Sequence, residues 1–229
     1  MDVFGAALTD QFLLGEAEVL WLHNSYGLPE EMPVDIFFRT EDEMPEMELM
    51  AIDLCRGKIL DIGAGAGSHA LLLQEQNKDV TALDISPAAV KIMQQRGVKN
   101  AIAEDIMTYG PEQYDTLLLL MNGIGITGNL EGFKNFLDHA RRLLKADGQL
   151  IFDTSDIAYL FEAADRPANQ YYGQVTYQYE YQGQKGNWFN WLYLDPETLT
   201  ATANACGWTC EIILDDGEDQ YLARLFPPR

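Results

Sequence analysis

The chain reads as a doubly wound, mostly parallel α/β fold, and three observations predict it. From Lys58 to Asp153 five short apolar strands follow one another, mostly separated by helices; such alternation builds a parallel sheet covered on both faces. The run Ile59-Leu-Asp-Ile-Gly-Ala-Gly-Ala-Gly-Ser68 leads from the first strand into the first of these helices through Gly63, Gly65 and Gly67. Successive strands end in polar groups, at Asp61, Asp84, Asp105 and Asn122. In an open α/β sheet the carboxyl ends of the strands form the ligand crevice.

Each element has its own reason. Residues 1–55 read as a mostly helical cap with an irregular middle at Tyr26-Gly-Leu-Pro29, and nothing there alternates clearly as a strand. Met47, Met50, Ala51 and Leu54 share one face of a helix over 45–55. Strand Lys58–Ile62 leads into helix Ser68–Gln76, and strand Asp79–Leu83 ends at Asp84. Ser86-Pro87 is a helix start, with serine as N-cap and proline at the first helical position. That helix runs to Arg96 and stops at Gly97. A short strand Asn100–Ala103 precedes Glu104-Asp105, and strand Asp115–Met121 is apolar from Leu117 onward, as a strand covered on both faces is. Leu130, Phe133, Phe136, Leu137, Ala140, Leu143 and Leu144 keep helical spacing over 130–145. Asp147-Gly148 then turns the chain into strand Gln149–Asp153.

Beyond this point the period changes. Val175, Tyr177, Tyr179 and Tyr181 alternate with polar residues, the segment 182–187 turns, and aromatics resume at Trp188, Phe189 and Trp191. This predicts an inserted β-hairpin with an aromatic face over 171–194. Asp195-Pro196 starts a helix that ends at Gly207. Strands Trp208–Leu214 and Tyr221–Leu225, joined by a short acidic turn, close the chain as an antiparallel pair. The expected organisation is one domain: cap 1–55, core 56–153, insert 154–194, and closing helix and strand pair 195–229.

Composition narrows the function. The 229 residues carry a formal net charge of −21. A surface this acidic repels phosphate backbones and anionic membranes, so neither nucleic acid nor membrane is an expected partner. No run is long and apolar enough for a membrane span, and the N-terminus lacks the basic region of a signal peptide. Three cysteines, Cys55, Cys206 and Cys210, give no disulfide framework and fit a reducing, cytoplasmic setting. Neither they nor the three histidines make a ligand-like set, so no metal is expected.

The strand ends carry the chemistry. A glycine loop before a helix N-terminus lets a backbone come close to a ligand, by default a nucleotide-like cofactor. Asp84, about 20 residues past the loop, can accept hydrogen bonds from two ribose hydroxyls. Asp105 can accept from an exocyclic adenine amine, with Ile85 and Ile106 sandwiching the ring, and Asp61 can hold a cationic amine. The plainer role for each acid is a helix N-cap, weakened at Asp84 because Ser86 already fills that position.

Asp61-x-Gly63-x-Gly65-x-Gly67, Asp84, Glu104-Asp105-Ile106 and Asp115–Met121 resemble, in order and spacing, the class I S-adenosylmethionine-dependent methyltransferases. Leu143-Leu-Lys-Ala-Asp-Gly148 is similar to that family's Leu-Leu-x-Pro-Gly-Gly turn, and Cys206-Gly-Trp208 looks like its helix stop before the sixth strand. The likeness covers roughly residues 55–160 and resumes over 195–229. It implies a seven-stranded Rossmann-like sheet with the last strand antiparallel between the fifth and sixth. It also implies S-adenosylmethionine as cofactor, with Gly63, Ala64 and Gly65 under its methionine and ribose, Asp84 on the ribose, Asp105 and Ile106 at the adenine, and Met121 and Asn122 lining the site. The chain has Met121-Asn-Gly-Ile-Gly where amino-methylating nucleic-acid enzymes carry an Asn/Asp-Pro-Pro-aromatic motif, and it lacks the Pro-Cys pair for cytosine attack.

The implied reaction is methyl transfer to a small-molecule acceptor by in-line displacement. A NAD-dependent oxidoreductase fits less well: Gly-x-Gly-x-x-Gly read from Gly63 requires glycine at 68, where serine stands. A non-catalytic, cofactor-binding regulator is the alternative of another class; the aromatic hairpin speaks against it if it covers an acceptor pocket, though it serves equally as sheet packing or a homodimer surface. No residue declares itself as a general base. His23, Tyr26, Asp153 and Asp156 are candidates, and Tyr26, Arg39 and Trp188 are candidates for holding the acceptor.

Overall fold

The computed structural model describes residues 2–161, 167 and 169–228, so part of the insert 154–194 lies outside the described residues. Helix α1 (Val3–Leu14) is capped by Asp2, whose carboxylate accepts the Gly5 N–H at 2.8 Å. Strands β1 (Leu20–Asn24) and β2 (Glu30–Met32) follow, and then helix α2 (Glu46–Leu54). These two strands correct the expectation of a cap without strands. Leu20 and Leu22 do face the interior in alternation, but Val19 and Trp21 between and beside them are also apolar and hide the period of two.

The core then alternates as expected: β3 (Lys58–Ile62), α3 (Ser68–Glu75), β4 (Asp79–Asp84), α4 (Pro87–Arg96), β5 (Ala101–Ala103), β6 (Tyr114–Leu119), α5 (Leu130–Leu143) and β7 (Leu144–Ser155). The insert supplies β8 (Gln174–Tyr181), β9 (Gln184–Lys185) and β10 (Phe189–Leu192), and α6 (Pro196–Ala205), β11 (Thr209–Asp215) and β12 (Gln220–Phe226) close the chain. Ser86 caps α4 by accepting the Ala89 N–H at 3.0 Å. Several boundaries move, most by a residue or two, and two of the shifts have a clear cause. Strand β6 stops at Leu119, short of Met121, because Met121 and Asn122 turn left-handed. Strand β7 begins at Leu144, well before Gln149, and a register shift against β6 between the Tyr114 and Thr116 pairs takes up the extra residues.

The seven-stranded sheet runs β11-β12-β7-β6-β3-β4-β5. All neighbours from β7 to β5 are parallel, and β12 lies antiparallel to both β7 and β11. Both faces are dry. Phe133, Phe136, Leu137 and Leu199 cover one, and Met47, Ala51, Leu73 and Met93 cover the other. This two-sided burial explains why the central strands read as continuous apolar runs.

The second sheet is the feature that the sequence did not predict. Its five strands run β10-β8-β1-β2, with β9 on β8. The aromatic hairpin therefore pairs with the N-terminal segment, Leu22 opposite Tyr179 and Asn24 opposite Tyr177. Helix α1 is fastened to the core from the other side, since Ser86 Oγ donates to Asp2 Oδ2 at 2.5 Å. Cap and insert together form a roof over the strand ends.

Candidate active site

Between the roof and the carboxyl ends of β3, β4, β5 and β6 lies a cavity of about 1030 Å³. It is at the upper end of what one small ligand fills. Its floor starts at the glycine loop. Gly63 has φ +71°, and a Cβ there would meet no other atom within 4 Å; the backbone conformation, with open cavity beside it, accounts for this glycine. Gly67 answers to packing as well: with φ +85°, its Cβ would stand 2.8 Å from the Met93 side chain of α4.

Asp61, at the end of β3, is 2% exposed, and its Oδ2 has no protein partner. Burial pushes its carboxyl up to about 6, against the pull of His69 and with the push of Asp84. Asp84 does more than the sequence implied. Its Oδ2 accepts the Gly65 N–H and its Oδ1 the Ser86 N–H, each at 2.8 Å. It thus pins the glycine loop to β4, and each oxygen keeps a further lone pair. Burial raises its pKa, opposed by those two backbone donors. Ile85 and Ile106 both line the cavity, the first exposed and the second buried. Asp105 lines it too, and its Oδ1 accepts the Met107 N–H at 2.9 Å, so it caps a local turn.

Met121 and Asn122 enter the cavity on two successive left-handed residues, φ +61° and +57°. Non-glycine residues adopt this conformation at a cost and only where surroundings enforce it. Here Asp153 and Ser155 both hold Asn122, the latter by a hydroxyl 2.9 Å from the Asn122 Oδ1. Asp153 Oδ2 accepts the Asn122 N–H at 2.9 Å and the Gln220 amide at 2.6 Å, while Asp153 Oδ1 is buried without a partner. Burial lifts the Asp153 carboxyl to about 6, opposed by the donors from Asn122 and Gln220.

A buried ion cluster was not foreseen. Glu48 on α2 accepts from Arg39 Nη2 at 2.6 Å and from His69 Nε2 at 2.8 Å. Burial alone would push His69 down, but the Glu48 hydrogen bond and the charges of Asp61, Glu48 and Asp153 lift it. Burial would likewise raise Glu48, yet His69 and Arg39 hold it low. A single glutamate beside Met47, Ala51 and Ile52 on the buried face of α2 was the available signal. Arg39 keeps one donor, Nε, buried and unpaired.

The other sequence candidates lie elsewhere. His23 is absent from the cavity lining; it bonds Glu180 at 2.6 Å, and Leu22 beside it takes the cavity side. Tyr26 stands behind the wall, its hydroxyl 2.9 Å from that of Tyr177. Asp156 caps a short turn, accepting from the Ala158 N–H at 2.9 Å and the Tyr172 hydroxyl at 2.6 Å. Trp188 is half exposed and outside the lining, whereas Arg39 lies in it. No set of groups arranged to hold a metal occurs among the described residues. No described helix is long and apolar enough to cross a membrane.

A glycine loop pinned by the acid of the next strand, at the open ends of a doubly wound sheet, defines a site for a nucleoside cofactor. Comparison with known proteins says which. A methyltransferase-domain family model matches residues 60–152. The crystal structure of a SAM-dependent methyltransferase from Bacteroides fragilis, solved with S-adenosyl-L-homocysteine, is 40% identical with a TM-score of 0.93, covering 100% of this chain and 95% of that one. The chain belongs to the S-adenosylmethionine-dependent methyltransferases of the Rossmann-like fold, and its cofactor is S-adenosylmethionine. The sugar N-methyltransferase KedS8 from Streptoalloteichus shares the fold at TM-score 0.61 and 15% identity, covering 90% of this chain and 96% of its own. A ubiquinone biosynthesis O-methyltransferase from Xylella fastidiosa is 24% identical over 111 residues, 45% of this chain and 44% of that enzyme. The residues present fit the cofactor: the unpaired Asp61 Oδ2 and Arg39 Nε offer opposite charges to the two ends of an amino-acid zwitterion.

Proposed function

We propose that this methyltransferase acts on a small-molecule acceptor by in-line displacement, within one domain whose cap and insert roof the cofactor core. The observation that carries the reading is the cavity: one continuous space, open to solvent on one side, runs from the glycine loop to an aromatic wall on the second sheet. Bound S-adenosylmethionine supplies a methyl group already activated on a sulfonium. The protein's part is then placement and exclusion of water.

On this reading Asp61 and Arg39 hold the amino-acid end of the cofactor. Gly63, Ala64 and Gly65 pass beneath it, and Asp84 takes the ribose hydroxyls on its remaining lone pairs. Asp105 serves the adenine amine, Ile85 and Ile106 flank the ring, and Met121 and Asn122 separate cofactor from acceptor. The net charge of −21 supports a small acceptor over nucleic acid. The test uses S-adenosylmethionine carrying a labelled methyl group, incubated with the enzyme and a cell extract split into small and macromolecular fractions. Label on a small molecule other than the donor, matched by release of S-adenosylhomocysteine, is expected; transfer confined to nucleic acid or protein would overturn the reading.

A further inference from the structure

The two sides of the cavity differ in chemistry. The floor is acidic: Asp2, Glu48, Asp61, Asp84, Glu104 and Asp105 line the space, against Arg39 and His69, both paired to Glu48. The roof is aromatic: Tyr177, Tyr179, Phe189, Trp191 and Tyr193. Among the described lining residues from the second sheet and from 120–127, none is an acid, lysine or histidine. The polar atoms there are amides, the Thr127 hydroxyl, the Trp191 indole N–H and phenols; Tyr177 bonds Tyr193 at 3.0 Å and, behind the wall, Tyr26 at 2.9 Å. Burial raises the pKa of all three phenols. They stay protonated and offer hydrogen bonds, not a base.

An alcohol or phenol that must lose its proton as it attacks finds no partner on this wall. A free-base nitrogen needs none. Its lone pair forms the new N–C bond as the C–S bond breaks and that pair stays on sulfur. The positive charge thereby passes from sulfur to nitrogen, so the acceptor side must tolerate a cation. Ring faces do so, and the surrounding carboxylates disfavour anionic acceptors. The position of Trp191 is specific: it presses on the turn after β6 so closely that a Cβ on Gly125 would stand 2.1 Å from its ring.

Resting on the methyl-transfer reading above, we propose that the Tyr177–Phe189–Trp191–Tyr193 wall is an acceptor subsite for small amines, binding the ammonium product on its ring faces. The amine arrives as the free base, and a secondary or tertiary ammonium product later gives its proton to water.

The test is a titration of the enzyme saturated with S-adenosylhomocysteine. The probes are (3-hydroxyphenyl)trimethylammonium and its neutral isostere 3-tert-butylphenol, which differ in charge at nearly the same shape. The cation should bind roughly tenfold or more tightly than the isostere. In Trp191→Leu the preference should shrink towards parity, with S-adenosylhomocysteine binding as the check that the variant is folded. Gly125→Ala, which displaces the same ring, should shrink it too. Equal affinity of cation and isostere in the wild type, tighter binding of the phenol, or no binding of either overturns the proposal. Failure of S-adenosylhomocysteine itself to bind would instead strike the cofactor reading beneath it.

Discussion

Replacing Asp61 by asparagine should make the ligand-free protein more stable and its cofactor complex weaker. The Asp61 carboxyl is pushed by burial to about 6 from an ordinary 3.8, and each tenfold change in proton affinity is worth about 1.4 kcal/mol. Keeping it ionised near pH 7 thus costs the fold about 3 kcal/mol. An asparagine amide in the same place leaves polar atoms unpaired, which returns about 1–2 kcal/mol of that. The net gain is about 1–2 kcal/mol, or roughly 3–6 °C in Tm for a chain of this size. The pH dependence carries the sign. A carboxyl whose pKa is raised on folding contributes stability while protonated and loses it as pH rises through the folded pKa, here between about 4 and 6. Melts of both proteins near pH 7 and near pH 4 should therefore show the variant ahead at the higher pH and level or behind at the lower. On the proposed role of Asp61 the same variant gives up a charged hydrogen bond to the cofactor's ammonium, and its affinity for S-adenosylhomocysteine should fall about 10- to 100-fold. A variant that melts below the wild type near pH 7, or that binds S-adenosylhomocysteine equally well, would refute the reasoning.

Further expectations follow from the same site. On the proposed pairing of Asp61 with the cofactor's ammonium, which favours the ionised carboxylate, S-adenosylhomocysteine should bind about tenfold more weakly near pH 5 than near pH 7, and calorimetry on Asp61→Asn should show that dependence flattened. Gly67→Ala forces a Cβ to 2.8 Å from Met93 at φ +85° and should cost about 1–3 kcal/mol; an unchanged urea midpoint would show that the loop relaxes. Asp153→Ala strips the acceptor from the Asn122 N–H and the Gln220 amide and should destabilise by about 1–3 kcal/mol, with a weaker S-adenosylhomocysteine complex as the left-handed turn loosens. Unchanged affinity there would mean the turn holds its shape unaided.

The doubly wound core was legible because its signals are local. Ser86-Pro87 before an apolar helix, Gly97 after it, and unbroken apolar runs at Leu117–Leu120 each report on a few neighbouring residues. The positions of Asp61, Asp84 and Asp105 at strand ends were readable for the same reason. What escaped was tertiary. Strand β2, Glu-Glu-Met, has no apolar period and is held by pairing with β1. The join between β1 and the hairpin links residues more than 150 positions apart. His23 and Tyr26 looked available as isolated polar side chains, yet Glu180 and Tyr177 engage them across that join. The Arg39–Glu48–His69 cluster draws on three separate segments, and only the buried face of α2 hinted that Glu48 needed a partner. Asp84 illustrates a middle case: its place at the strand-end cavity was readable, but its grip on the Gly65 and Ser86 amides was not.

Calorimetric titration of the purified protein with S-adenosylhomocysteine, with NAD as control, tests the central claim most directly. One site per chain with micromolar affinity for S-adenosylhomocysteine, and no heat from NAD, is the result predicted. Binding of NAD in its place would contradict the assignment of the glycine loop and its acids to S-adenosylmethionine.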